Sequence, residues 1–378
     1  MSFLAGVAIG GLVSGMVSDR LGRKKTLMVS LCLQIVIGVT IAFVPILEVF
    51  AVLRFLLGFV SVGVVFSGFV LCVELVGGKW RTVAGVGYLV PVPISYMIIS
   101  GIAYCIRGWR DLQLAITLPS ILLLPLWCIL PESPRWLMAM GKVEDNVEIL
   151  KEAAQVNKRT LPPNIDKLLQ QLFQGLNEKT GEQATILDLF RYPRLRKISL
   201  VNFVIWFAVY FMYYGLMMNL SNIGGDIYVN TVISGGVEIP ALLLSAVILL
   251  KLGRRWPLSV TIFTSGIACL TTLPFGTAKE SVTIGLAMLG KFCIACSNAI
   301  MPIYTAELYP TVVRNLGVGL SNVSAGMALI LVPFIWNLAT IDSRLPFGLL
   351  GSIGCIGGLS VLLLEETSNR PLKKSLED

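Results

Sequence analysis

Apolar residues in this chain come in long unbroken runs, with little of the alternation or one-sided spacing that a soluble fold would show. Eleven such runs stand out, at about 2–17, 27–47, 50–76, 82–106, 112–130, 197–220, 228–250, 256–276, 281–304, 316–338 and 345–364. Most reach the roughly 20 residues that a helix needs to cross about 30 Å of hydrocarbon. Helices on the surface of a soluble core would carry a polar face, and these mostly do not. The pattern predicts an all-α membrane protein. One long polar stretch, 138–196, interrupts it. That stretch is rich in Lys, Glu and Gln and shows helical spacing over Val147–Val156 and Ile165–Leu176, with Pro162-Pro163 separating the two.

Charge fixes the orientation. Arg54 and Lys291 lie within apolar runs, and Arg107, Arg110, Lys279 and Arg344 fall on one side of them. The remaining 24 of the 30 Lys and Arg residues fall on the other side, which the positive-inside bias makes cytoplasmic. The 138–196 linker and the tail are placed in the cytoplasm, and the plasma membrane is the expected location. The net charge of +8 therefore speaks for membrane topology, and no nucleic-acid partner is expected.

Composition narrows the chemistry. Only 14% of residues are charged, against about 25% in soluble domains. The chain has no histidine, which removes the commonest general base and metal ligand. No cofactor, no metal and no catalytic residue are expected, and an enzyme is excluded for want of a nucleophile–base pair. All eight cysteines lie in or at the edge of apolar runs, and Cys293 and Cys296 form a lone C-x-x-C inside one. They read as packing residues. No G-x4-G-K-[ST] loop supports ATP-driven pumping.

The chain repeats itself. Gly22-Arg23-Lys24 recurs as Gly253-Arg254-Arg255, an offset of 231. Glu74 and Arg81 recur as Glu307 and Arg314, an offset of 233, and Glu132-Ser133 as Glu366-Thr367, an offset of 234. Two similar halves follow, as in transporters built from parallel repeats. The predicted organisation is a first bundle at 1–137, a cytoplasmic linker at 138–196, a second bundle at 197–364 and a cytoplasmic tail at 365–378. Projecting the second half onto the first leaves about 36 residues unmatched at the start. The expectation is an N-terminally incomplete chain with one helix fewer than its second half implies.

The stretch GLVSGMVSDRLGRKK (Gly11–Lys25) supplies two glycines one turn apart, Gly11 and Gly15, which suit close helix approach in lipid. It ends in a cationic cluster containing Asp19, a carboxylate that can pair locally or sit at the N-terminus of a neighbouring helix. Gly15, Asp19, Arg20, Gly22, Arg23 and Lys24 resemble the signature loop of major facilitator transporters. PESPRWL (Pro131–Leu137) resembles a motif shared by sugar porters and the organic ion transporters of solute carrier family 22. ELYPTVVRNLG (Glu307–Gly317), RYPRLRK (Arg191–Lys197) and RGWRDLQLA (Arg107–Ala115) are similar to the latter group in particular. Sugar porters carry paired glutamines in the seventh helix, and WFAVYFMYYGL (Trp206–Leu216) has none. The resemblance implies a major facilitator fold of two pseudo-symmetric bundles, with eleven of the usual twelve membrane helices present.

Candidate residues follow from depth and from that resemblance. Glu238 and Lys291 each lie ten residues into an apolar run, near mid-membrane. A buried charge there needs an internal partner or a cavity. One reading is an ion pair that locks two helices; the other is a cation-attracting Glu238 that Lys291 releases when substrate arrives. Family resemblance supports the second, through VEIP (Val237–Pro240). Trp206, Tyr210, Tyr213 and Tyr214 occupy neighbouring turns of one helix and offer ring faces to an amine. The resemblance assigns Trp206 and Tyr213 to a substrate cavity, leaves Tyr210 open and gives Tyr214 to packing. Where relatives carry a charge, this chain has Gly326. Asp19, Arg20, Arg23, Glu74, Arg81, Glu132, Arg135, Glu307 and Arg314 form the expected cytoplasmic gate, with ion pairs holding the halves together. The expected activity is alternating-access transport of a small organic ion: a cation, an amine or a carnitine-like zwitterion. A sugar porter and a non-transporting truncated product are the alternatives. The expected partners are that substrate and the bilayer; oligomeric state is left open. Asn219-Leu220-Ser221 is a sequon close to the membrane.

Overall fold

Among the described residues each apolar run is mainly helix. The protein is described by a computed structural model over residues 2–77, 80–162, 164–179, 188–218, 225–274, 280–310, 313–342 and 344–367, and no strand occurs among them. The sequon at 219–221 and the tail beyond 367 lie outside these residues, as does the Arg314 side chain. In the first part of the chain, α1 (Ser2–Leu21), α2 (Arg23–Phe43) and α3 (Leu47–Leu75) are followed by α4 (Trp80–Leu89) and α5 (Pro91–Cys105). α6 (Trp109–Thr117) then runs through a 3-10 stretch at Leu118–Leu123 into α7 (Leu126–Ile129). Prolines explain both interruptions: Pro91 starts α5, Pro119 sits in the first turn of the 3-10 stretch and Pro125 follows it.

The linker forms α8 (Pro134–Ala139), α9 (Val143–Val156) and α10 (Ile165–Lys179), and a short α11 (Asp188–Arg191) precedes the second part. That part contains α12 (Pro193–Met218), α13 (Ile227–Lys251), α14 (Arg255–Thr271), α15 (Glu280–Leu308), α16 (Arg314–Ile335) and α17 (Leu345–Val361).

Among the described residues eight helical stretches are long and apolar enough to cross a bilayer, and α1 makes a ninth if its two parts, bent by 45° around Leu12, count as one span. α14 and α17, at 17 residues each, are helical but short of that length, so the expected eleven spans are met only in part. Many large apolar side chains point outward, among them Leu47 at 76% and Leu122 at 80% exposure. Such a surface requires lipid, and the helices satisfy their backbone polar groups internally as lipid demands. The chain is an integral membrane protein.

α1 packs on α3, α2 on α3 and α6, and in the second part α14 on α15 and α17, and α12 on α15, α16 and α17. The two parts meet along α5 against α13 and α1 against α16. The α1–α3 contact is backbone to backbone: a Cβ on Gly6 would lie 2.0 Å from the Phe55 carbonyl oxygen, and one on Gly58 would lie 2.1 Å from that of Phe3. Gly11 and Gly15, expected at this contact, meet only side chains at 3.7 Å or more. The spacing of small residues was correct, but Gly6 and Gly10, a turn or more nearer the N-terminus, carry it.

Candidate functional site

Glu238 is the eleventh residue after Ile227 in α13, and Lys291 the eleventh after Glu280 in α15. At 1.5 Å per residue both lie about 16 Å below the helix start, at one depth. α13 and α15 pack against each other, and Lys291 Nζ stands 3.3 Å from Glu238 Oε2. Both residues are buried, at 2% and 3% exposure. A lone charge at this depth would be costly, and opposite charges in contact offset that cost.

Tyr213 completes the group. It lies near the end of α12, and helical side chains lean toward the N-terminus of their own helix, which brings its ring down to the level of Glu238. Its hydroxyl donates to Glu238 Oε1 at 2.6 Å. Its ring centroid lies 3.4 Å from Lys291 Nζ, so the ammonium faces a carboxylate and a π surface together. Beyond this ion pair, neither Lys291 Nζ nor Glu238 Oε2 has a hydrogen-bond partner among the described residues.

The first part of the chain reaches the same place. A Cβ on Gly235, one turn before Glu238, would lie 2.7 Å from the Pro93 carbonyl oxygen of α5. One turn along α5 stands Tyr96, close enough to Tyr213 and Glu238 for their charges to act on it. The charged group thus lies where the two parts of the chain touch. Sequence reasoning missed Tyr96, whose only signal was a hydroxyl within an apolar run.

Trp206 and Tyr210 do not contact Glu238 directly. Their rings stack at 5.8 Å and 7°, Tyr210 continues onto Tyr214 at 6.1 Å, and Tyr214 meets Tyr213 edge-on at 5.2 Å. The four aromatic residues form one continuous wall on α12. Trp206 is fixed by its indole, which donates to Thr305 Oγ1 at 2.9 Å. Thr305 donates to Asn202 Oδ1 at 3.3 Å, and the Asn202 amide donates to Ser321 Oγ at 3.0 Å. This polar chain, which ties α12 to α15 and α16, was not anticipated from sequence. Gly326 faces the other contact between the parts, since a Cβ there would lie 3.1 Å from that of Ala8 in α1. A charged side chain would not fit without moving one helix.

At the basic end the repeat is realised atom by atom. Glu132 Oε1 accepts from Arg23 N at 2.9 Å and Lys24 N at 3.0 Å, so its carboxylate caps α2. In the second part Glu366 does the same for α14, accepting from Arg254 N and Arg255 N at 3.1 Å each. Arg23 Nε reaches Glu74 at 3.3 Å, and Arg254 Nε reaches Glu307 at 3.2 Å. Ser133 donates to Glu74, and Thr367 to Glu307. Asp19 pairs locally with Arg23 at 2.8 Å, while its carbonyl accepts from the Trp136 indole. These ion pairs, expected between the halves, close within each half. The carboxylates and the groups that bind them come from the same half in each case. Arg20, Arg81 and Arg135 are exposed at the same end.

At the opposite end the halves do meet through polar groups. Arg107 donates to the Tyr228 hydroxyl at 2.8 Å, and its guanidinium lies 5.1 Å from the ring centroids of both Tyr104 and Tyr228. Ser100 Oγ donates to the Tyr228 carbonyl at 2.8 Å. Sequence reasoning used Arg107 for orientation and as the first residue of a family motif, not as a contact between the halves. Among the described residues no cluster of His, Cys, Asp or Glu could hold a metal. Cys293 and Cys296 are free and buried, and the Cys296 thiol donates to the Ala241 carbonyl.

Comparison with known proteins agrees with this architecture. The family described as sugar (and other) transporter matches residues 1–376. The organic cation transporter protein of Drosophila melanogaster is 38% identical, covering 100% of this chain and 70% of the fly protein. Human solute carrier family 22 member 13 is 37% identical over 100% of this chain and 67% of its own length. Human organic cation/carnitine transporter 2 is 34% identical over 99% and 67%. Among solved structures, the proton:xylose symporter XylE bound to 6-bromo-6-deoxy-D-glucose superposes with a TM-score of 0.75 at 21% identity, covering 100% of this chain and 87% of that one. The inward open XylE of E. coli gives 0.74 at 17% identity, covering 98% and 86%. Those similarities are to transporters rather than enzymes, and with the family matched along nearly the whole length, the chain belongs to the sugar and other transporters of the major facilitator superfamily, within solute carrier family 22.

Proposed function

We propose that the protein carries small organic ions bearing an amine or quaternary ammonium across the plasma membrane, with the linker and C-terminus in the cytoplasm. Residues 1–137 and 197–364 act as two bundles, and the helical runs between them and the polar segments supply eleven spans. The observation that carries this reading is the buried Glu238 carboxylate, held by Tyr213 and Lys291 beside the contact between the parts. A carboxylate with a ring beside it is the pairing that recognises an ammonium. The organic cation names of the relatives agree with it.

Transport proceeds by alternating access. The Arg107 contact with Tyr228 closes one end, and its separation opens that end. At the other end each bundle is stiffened by its own carboxylate-capped helix and ion pairs, so the bundles move as units. Trp206 and Tyr210 extend the aromatic wall toward the basic end and guide the ligand along it. Binding drives the cycle only through differential affinity for the two states.

Uptake of labelled tetraethylammonium, a labelled carboxylate and a labelled hexose by the reconstituted chain tests this reading. Saturable uptake of the cation is expected. Glu238→Gln should lower its kcat/KM by about 10- to 150-fold, the equivalent of one charged interaction. Hexose or carboxylate uptake alone, or an unchanged Glu238→Gln at equal protein level, would refute it.

A further inference from the structure

α14 and α17 pack against each other, and at Gly266 and Gly351 the contact is backbone to backbone. A Cβ on Gly266 would lie 2.7 Å from Cys355 N, and one on Gly351 would lie 2.8 Å from the Gly266 carbonyl oxygen. One turn further from the basic end the two helices part. A Cβ on Gly348 would meet nothing nearer than Leu273, at 3.9 Å. A cavity of about 700 Å³ opens there, between the end of α14, the turn before α17 and the start of α17.

The lining of this cavity suits lipid. Leu273, Leu338, Leu345 and Leu349 form its apolar walls. Leu345 and Leu349 are 43% and 39% exposed, so the cavity opens toward the bilayer. Among the residues that line it Arg344 alone is charged. The Arg344 backbone N–H donates to Asp342 Oδ1 at 2.9 Å, but its guanidinium has no hydrogen bond or ion pair among the described residues. Ser352, the other polar side chain of the lining, is already satisfied, donating to the Gly348 carbonyl at 2.7 Å.

Helix length accounts for a cavity at this depth. α14 and α17 have 17 residues each, about 26 Å at 1.5 Å per residue, against about 30 Å of hydrocarbon. Two short spans that end side by side are accommodated by lipid and by long flanking side chains. Arg344 immediately precedes α17, where an arginine extends its charge to the headgroup layer. Its planar fork binds phosphate through two N–H groups. Asp342, two residues away and exposed, sets a negative charge beside it. A phosphate on Arg344 and an ammonium on Asp342 are the two charges of a zwitterionic headgroup. An acyl chain fills the leucine-lined space, which a soluble anion would leave empty.

We propose that the cavity between α14 and α17 binds one zwitterionic phospholipid, with an acyl chain among the four leucines, the phosphate on Arg344 and the ammonium beside Asp342. In the orientation proposed above this end faces outward, so the lipid comes from the outer leaflet. The site shares no residue with the Glu238 group.

The test uses the full chain, purified in a mild detergent and stripped of lipid. It is titrated with dioleoylphosphatidylcholine, dioleoylphosphatidylglycerol and dioleoylglycerol. Native mass spectrometry counts the lipid bound per chain, and thermal unfolding reads the stabilisation. One phosphatidylcholine per chain is expected to bind first. Phosphatidylglycerol, which lacks the ammonium, and dioleoylglycerol, which lacks the phosphate, should bind at least tenfold more weakly. Arg344→Gln should weaken phosphatidylcholine tenfold or more, to the level of dioleoylglycerol. Gly348→Leu should fill the cavity, keep the lipid-free midpoint at or above the wild-type value and abolish the lipid-induced shift. Arg344→Gln removes no side-chain contact within the described residues, so it keeps the test decisive should Gly348→Leu fail to fold. Phosphatidylcholine binding unchanged by Arg344→Gln overturns the proposal. So does wild-type protein that holds dioleoylglycerol or phosphatidylglycerol as tightly as phosphatidylcholine. None of these measurements reads transport, so either result leaves the assignment of Glu238 to be judged by uptake.

Discussion

Replacing Gly22 and Gly253 by alanine, separately, isolates what the carboxylate cap contributes. Both glycines precede a helix and both have positive φ, +103° and +88°. At Gly22 ψ is 153°, a region that glycine alone occupies readily. The backbone strain of an alanine at either position is about 1–3 kcal/mol. The surroundings differ. A Cβ at Gly22 would lie 2.5 Å from Glu132 Oε2 and 3.3 Å from the Trp136 ring, whereas one at Gly253 would lie 3.2 Å from Glu366 Oε2. The first separation forces Glu132 to move, weakening its bonds to Arg23 N and Lys24 N. Hydrogen bonds to charged groups contribute about 1.5–3 kcal/mol each. Gly22→Ala should therefore cost about 3–6 kcal/mol and Gly253→Ala about 1–3 kcal/mol. Thermal unfolding of purified protein in one detergent gives the order of the two midpoints. The double change Gly22→Ala with Glu132→Ala removes the obstruction, so in the Glu132→Ala background the glycine substitution should cost only the backbone strain. Gly253→Ala as damaging as Gly22→Ala, or a Glu132→Ala background that fails to soften the Gly22 effect, would refute the reasoning.

Other consequences can be measured independently. Arg107→Ala removes a charged hydrogen bond of about 1.5–3 kcal/mol between the segment that follows α5 and α13, and a spin-label pair at Ile106 and Ile227 should report a wider separation of those ends; an unaltered distance distribution would count against a closure at that end. Gly326→Leu should push α16 from α1 and reduce uptake more than tenfold at equal protein level, with Ala8→Gly restoring part of it, because the two Cβ positions are only 3.1 Å apart. Thr305→Val leaves the Trp206 indole without its acceptor, and should lower stability by about 1–3 kcal/mol and raise KM for aromatic cations, while Thr305→Ser should preserve both.

Much of this architecture was legible in the sequence because bilayer physics leaves few options. A run as long and apolar as Leu47–Leu75 has no soluble alternative. The repeat was legible because its conserved letters, Gly22, Glu74, Glu132 and their counterparts, are the ones that do structural work. What the letters could not give was direction. Nothing in Glu132 says that it caps the helix beginning at Arg23, 109 residues earlier, or that the ion pairs close within a half. The same holds for the central group. Depth placed Glu238 and Lys291 at one level, but only packing brings Tyr213 onto both of them and Tyr96 alongside from the other half. The Asn202–Thr305–Ser321 chain was invisible because small polar residues in a membrane helix bond to their own backbone as readily as to a neighbour.

The twin caps at Arg23 and Arg254 also bear on how such a molecule can drift over evolutionary time. The donors are main-chain amides, so the cap does not depend on the side chains beside them: lysine stands at 24 where arginine stands at 255. The acceptor has no such latitude, because only a carboxylate of glutamate's reach serves two amides across the intervening gap. Mutational tolerance at this end of the protein is thus set by which partner belongs to the backbone, and the two halves can differ beside the amides of the cap while keeping the acid that binds them.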